Sequence, residues 1–170
     1  QTVFARNPEL ARIMIGGVIV RDTPSGPAIY SQGVDARDGT ADLYRIDPAN
    51  NRATRMARGR NVGNYLLDSA GEPIARSTYY AETGSWSVDV KRGGAWPRVW
   101  TTALLDQPSL IGFGRTAGSV IVQAKLEGDD EPKYRELSLE TGEWMDLSFE
   151  DQPDSLVYHP VTKLLIGTVK

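Results

Sequence analysis

The feature that most constrains this chain is a set of four similar turns, spaced about 45 residues apart. Gly26 in TPSGPA, Gly71 in DSAGEP and Gly118 in RTAGSV each close a strand-turn-strand pair, and Thr162 in HPVTKL takes the same place in a fourth, shorter unit. A second marker keeps step with the first. LYRIDPANNRATRM, WSVDVKRGGAWPRVW and YRELSLETGEWMDL each read as strand, polar turn, strand, with Ile46, Val90 and Leu139 in corresponding places. Four strands per repeat at this period select a β-propeller over a sandwich, since a sandwich has no reason to repeat its turn positions.

Short β-rich runs bounded by Gly, Pro, Asp and Asn fill the chain, and helical periodicity is confined to a turn or two at Pro8 to Ile15. Strands are predicted near Ile13 to Val20, Ala28 to Gly33, Asp42 to Asp47, Arg52 to Met56, Val62 to Asp68, Pro73 to Tyr80 and Trp86 to Lys91. Others follow near Trp96 to Thr101, Leu110 to Gly114, Val120 to Lys125, Tyr134 to Leu139, Glu143 to Leu147, Ser155 to Tyr158 and Lys163 to Thr168. The fold class is therefore all-β: a single partial β-propeller domain over 1–170, with blades at 12–57, 60–102 and 108–148 and a half blade at 154–169.

The first two strands of a unit hold near-continuous apolar runs, as in Tyr65-Leu66-Leu67, Val120-Ile121-Val122 and Leu164-Leu165-Ile166. Such strands are expected to be covered on both faces. The third strand alternates, with Trp86, Val88 and Val90 on one face and Ser87, Asp89 and Lys91 on the other, which predicts a half-wet strand nearer the rim. Three and a half blades fall short of the roughly four to eight that close a propeller. Further blades are expected beyond Lys170, and a start at Gln1 rather than Met fits a piece of something longer.

Charge and composition exclude several classes of partner. A net charge of -3 supplies no broad field for nucleic acid or an anionic membrane. No apolar run approaches the roughly 20 residues that span a bilayer, and Gln1 to Asn7 lack the pattern of a signal peptide. The chain reads as soluble. With no cysteine there is no disulfide or thiolate site, and both cytoplasm and periplasm stay open.

His159 is the only histidine, so a histidine-based triad or metal site would have to use it. It aligns with Asp68 and Arg115 at the opening of the first turn of a blade, and three unlike polar residues at one position indicate an exposed turn rather than a general base. Gly112 to Gly118, GFGRTAG, resembles a phosphate loop but precedes a strand, without the helix N-terminus that would hold a pyrophosphate. Asp35, Asp38 and Asp42 surround Gly39 without the spacing of a calcium loop, and read as a polar hairpin loop. E-T-G-x-W occurs at Glu82 to Trp86, before a third strand, and at Glu140 to Trp144, after one; the two are out of register. Arg52, Arg55, Arg58 and Arg60 read as a solvated rim, and Trp86, Trp96, Trp100 and Trp144 as packing between blades. No catalytic, cofactor-binding or metal-ligating residue is assigned.

VGNYLLDSAGEPIARSTYYAETGSWSVDVKRGGAW and GFGRTAGSVIVQAKLEGDDEPKYRELSLETGEW resemble the N-terminal propeller of bacterial S9 serine peptidases, the group of prolyl oligopeptidase, acylaminoacyl-peptidase and dipeptidyl aminopeptidase. The particular marks are LYRID before a polar hairpin, the LLDSAGEPIA turn and the LSLETGEW turn. The resemblance implies a propeller that precedes an α/β-hydrolase domain, docks against it and admits only peptides or unfolded segments to its Ser, Asp and His triad. Acyl transfer through a serine ester and an oxyanion hole would be the chemistry of that domain. No G-x-S-x-G elbow occurs in these residues. The alternative is a non-enzymatic binding or scaffold propeller that continues to its full blade count or closes by self-association.

Overall fold

The computed structural model describes residues 4, 6–103, 107–147 and 152–170. Its first sheet runs β1 (Leu10–Thr23), β2 (Gly26–Asp35), β3 (Ala41–Asp47) and β4 (Arg52–Ala57), and its second β5 (Val62–Leu67), β6 (Pro73–Tyr80), β7 (Ser85–Val90) and β8 (Arg98–Thr102). The third comprises β9 (Ser109–Phe113), β10 (Ser119–Ala124), β11 (Lys133–Ser138) and β12 (Trp144–Met145), and a last pair joins β13 (Ser155–Tyr158) to β14 (Leu165–Val169). Within each sheet the spatial order is the chain order, so every sheet is a meander. The fold is all-β, a partial β-propeller of three four-stranded antiparallel blades and a two-stranded half blade.

The chain divides into two compact units, Gln1–Ile74 and Ala75–Lys170. In the first, Phe4, Leu10, Tyr44, Ile46 and Ala53 form one buried cluster, with Ile29 packed against it. Phe4 meets Tyr44 edge-on at 5.7 Å. In the second unit the apolar runs of the central strands supply the core: Val88, Val120, Ile121, Val122 and Leu137 are fully buried.

Each of the fourteen predicted strands has a counterpart, and the departures have local causes. The stretch Pro8 to Ile15 is not helical: β1 pairs with β2 from Leu10 opposite Asp35 to Thr23 opposite Gly26, with two irregularities along the way. Its backbone groups are drawn into a ladder, and Gly16 at φ 73° sits where that ladder breaks step. The third strand of the second blade is not half-wet. Ser87 and Asp89 are as buried as Trp86 and Val88 beside them, because Asp89 lies directly opposite Arg76 and Ser87 opposite Thr78, each pair satisfying its polar groups within the sheet. In the half blade Leu165 is buried but Ile166 is 60% exposed. The left-handed residue of that unit's turn is Lys163, one position after Thr162.

Candidate functional site

The first turns of the blades place His159. Asp68 N donates to Glu72 O at 2.9 Å, Gly114 N to Ser119 O at 2.9 Å and His159 N to Leu164 O at 2.8 Å. These closing bonds give Asp68, Gly114 and His159 one shared position, with Arg115 a step beyond it. At that position Asp68 Oδ1 accepts from Ala70 N and Glu72 N, both at 2.9 Å. His159 does the same work with a different atom: Nδ1 accepts from Val161 N at 3.3 Å and Thr162 N at 3.1 Å. The imidazole is therefore a half-buried turn cap whose acceptor nitrogen is occupied. His159→Asp should keep the turn, whereas His159→Ala should lose about 0.5–1.5 kcal/mol, the usual net value of such bonds. Urea unfolding of both variants checks this, and equal losses would contradict the capping role.

The other sequence candidates have definite places in the fold as well. Gly112 to Gly118 runs from the end of β9 through a turn into β10, a strand rather than a helix. Asp35 accepts from the backbone and guanidinium of Arg37, and hydrogen bonds to both hold its carboxyl well below the usual range. Asp38 accepts from Thr40 N and Oγ1, and Asp42 from Gly59 N at 2.9 Å. Asp35 and Asp38 are thus engaged within their own loop, and Asp42 by the connection that follows β4. All four arginines from Arg52 to Arg60 are exposed, and Arg55 stands 3.5 Å from Asp42. The two E-T-G-x-W copies lie before β7 and between β11 and β12, out of register as expected. Trp100 of the second blade meets Trp86 at 5.9 Å and Trp144 of the third blade at 4.9 Å, both edge-on, so three of the four tryptophans form a seam between blades. Trp96 lies under the Arg76 guanidinium at 4.5 Å.

One arrangement was not singled out from the sequence. Every full blade buries a carboxylate on its third strand and pairs it with an arginine of the same blade: Asp42 with Arg55, Asp89 with Arg76 and, more distantly, Arg98, and Glu136 with Arg115. Glu136 is the most enclosed. Its Oε1 accepts from Ser119 Oγ at 2.6 Å and Arg115 N at 2.8 Å, and its Oε2 from Arg115 Nε at 2.7 Å. Burial alone would raise this carboxyl, but the donors of Ser119 and Arg115 outweigh it and hold the group below its ordinary value. All three carboxylates lie on third strands, in ADLYRID, SWSVDV and KYRELS.

Exposed apolar side chains are unevenly distributed. Among the described residues, ten large hydrophobic side chains stand exposed. Met14, Ile15, Val18 and Val20 belong to β1, and Val157, Val161, Ile166 and Val169 to the half blade; Tyr80 and Met145 are the other two. The first strand thus departs from the expectation that the opening strands are covered on both faces. Among the concavities of the described residues, one of about 310 Å³ lies beside Tyr134 and Trp144 and one of about 390 Å³ beside Arg45 and Arg52.

No family model matches the sequence, and no curated protein matches it. Two solved chains do match. One is a crystal structure of a candidate 6-phosphogluconolactonase from Bacteroides fragilis, aligned over 89% of this chain and 46% of that chain at 13% identity and a TM-score of 0.40. The present chain spans less than half the length of that protein. The blade assignment rests on the sheet order described above.

Proposed function

We propose that this chain is the propeller segment of an S9-type serine peptidase, which docks against an α/β-hydrolase domain outside these residues and limits substrate access to it. The observation that carries this reading is the gathering of exposed apolar side chains on β1 and on the β13–β14 pair. Clustered apolar surface of this kind marks sites where other protein packs, and further blades and a second domain are what the resemblance of the blade motifs calls for. The segment's part in the reaction is exclusion and positioning; the acyl-transfer chemistry belongs to the partner domain.

The test is the coding sequence on either side of these residues, followed by kinetics. A G-x-S-x-G elbow with Asp and His downstream is required, and its absence ends the proposal. The complete protein should cleave short peptide esters and spare folded proteins, while the 170-residue chain alone gives no turnover. The open edge of β14, which pairs only with β13 among the described residues, favours a second reading, a non-enzymatic module that self-associates. Sedimentation velocity separates the two: a defined oligomer dissociated by Ile166→Glu supports self-association, and a monomer counts against it.

A further inference from the structure

The first blade carries a concavity that neither the packing of the blade nor the proposed peptidase role makes use of. It holds about 390 Å³, the lower end of the range for small-ligand sites. Pro27, Pro48 and Met56 line it, together with the buried Ala28 and Ile46. Arg45, Arg52 and Asp47 line it as well, two guanidiniums against one carboxylate. Arg45 stands opposite Thr54 and Asp47 opposite Arg52 in the β3–β4 ladder, so the pleat places all four on one face.

The charges on that face do not cancel locally. Asp47 is directly across from Arg52, yet its Oδ1 accepts from Ala49 N at 2.9 Å and its Oδ2 from Asn50 Nδ2 at 2.7 Å. Its carboxylate is held in the turn between β3 and β4 rather than by the arginine. Arg45 donates to a neutral partner, Ser25 Oγ, at 3.1 Å. No ion pair joins either guanidinium to a carboxylate among the described residues. Arg37, Arg55, Arg76, Arg98, Arg115 and Arg135 each have one. Two guanidiniums with free donors beside an apolar wall match a ligand with a carboxylate at one end and an aliphatic body at the other. A bare inorganic anion would leave the Pro and Met surface uncovered.

We propose that this concavity, bounded by Arg45, Arg52 and Met56, is a binding site for a small organic carboxylate with an apolar body of about the size of one acylated amino acid. The site is independent of the peptidase reading, and its fate does not depend on what flanks the chain.

The methionines make the test selective, because the chain has three and only Met56 lines this site. With methyl-labelled methionine, the intact chain is titrated with N-acetyl-leucine, N-acetyl-leucinamide and inorganic phosphate. N-acetyl-leucine should shift the Met56 resonance saturably and leave those of Met14 and Met145 in place. The amide, which keeps the body and loses the charge, should bind about tenfold more weakly. Arg52→Gln and Arg45→Gln should each weaken binding by a similar factor, and unchanged Met14 and Met145 resonances certify that both variants are folded. No saturable Met56 shift at tens of millimolar, an equal response to acid and amide, or an equal response to inorganic phosphate would each overturn the assignment.

Discussion

Gly142→Ala is expected to lower stability by about 2–4 kcal/mol, combining the cost of a left-handed residue with that of overpacking. Gly142 sits at φ 72°, and a Cβ there would run into the Val99 carbonyl oxygen. Val99 belongs to β8 of the second blade and Gly142 to the β11–β12 turn of the third. The clash is with backbone, which cannot swing aside as a side-chain tip can. The control is supplied by the chain itself. Gly84 occupies the same place in the other E-T-G-x-W, at φ 64°, but nothing lies within 4 Å of the position its Cβ would take. Gly84→Ala should therefore cost only the conformational part, about 1–2 kcal/mol. Urea midpoints of the two variants measure the difference directly, and equal losses would show that the blade-to-blade approach at Gly142 contributes nothing.

The second large effect concerns Arg115→Met, which keeps the aliphatic stem and removes the charge. Glu136 would then be a fully buried carboxylate with only Ser119 Oγ and the backbone amide at position 115 to hold it. Breaking a buried pair typically costs about 3–5 kcal/mol; with Arg115 itself 47% exposed, about 2–4 kcal/mol at pH 7 is expected. The pH dependence should also weaken. In the wild type the Glu136 carboxyl is depressed, so its contribution is present above the unfolded carboxyl value of about 4.3 and lost as pH falls through the folded value. In the variant the guanidinium is gone while burial and the two other donors remain, so the carboxyl rises from its wild-type value and its contribution shrinks. The stability gap between the two proteins should then be widest near pH 7 and narrow as pH falls through the carboxyl range. A stability gap that stays constant from pH 7 down through the carboxyl range would refute the pairing.

The strand pattern was legible because turns and apolar runs are local properties. Gly26 and Gly71 lie at φ 102° and 86°, as turn positions that favour glycine, and the runs around Leu66 and Ile121 are buried as their composition suggests. The tryptophan seam was legible for a similar reason: large aromatic rings on third and fourth strands have few places to go except toward a neighbouring blade.

Register was not legible. Ser87 and Asp89 look like the wet face of an alternating strand until Thr78 and Arg76 are found opposite them. Pro8 to Ile15 has a helical spacing that a partner strand overrides. The one-step offset that makes Gly114, not Arg115, the equivalent of Asp68 and His159 depends on closing hydrogen bonds across each turn, which composition does not reveal. The concavity beside Arg52 was hidden for the same reason. The sequence shows Arg52 in a cluster with Arg55, Arg58 and Arg60, whereas the ladder puts it on one face with Arg45 and shows that the carboxylate opposite it, Asp47, is engaged in the turn.

The buried carboxylates have a consequence for how such a chain can change in length. Each is neutralised inside its own blade, Asp42 by Arg55, Asp89 by Arg76 and Glu136 by Arg115. A duplication or deletion that respects blade boundaries would carry both members of a pair together and leave no stranded charge behind. Unequal recombination between blades would then be limited by seams such as Gly142 against Val99, and not by electrostatics, so repeat number could drift while every copy stays internally balanced.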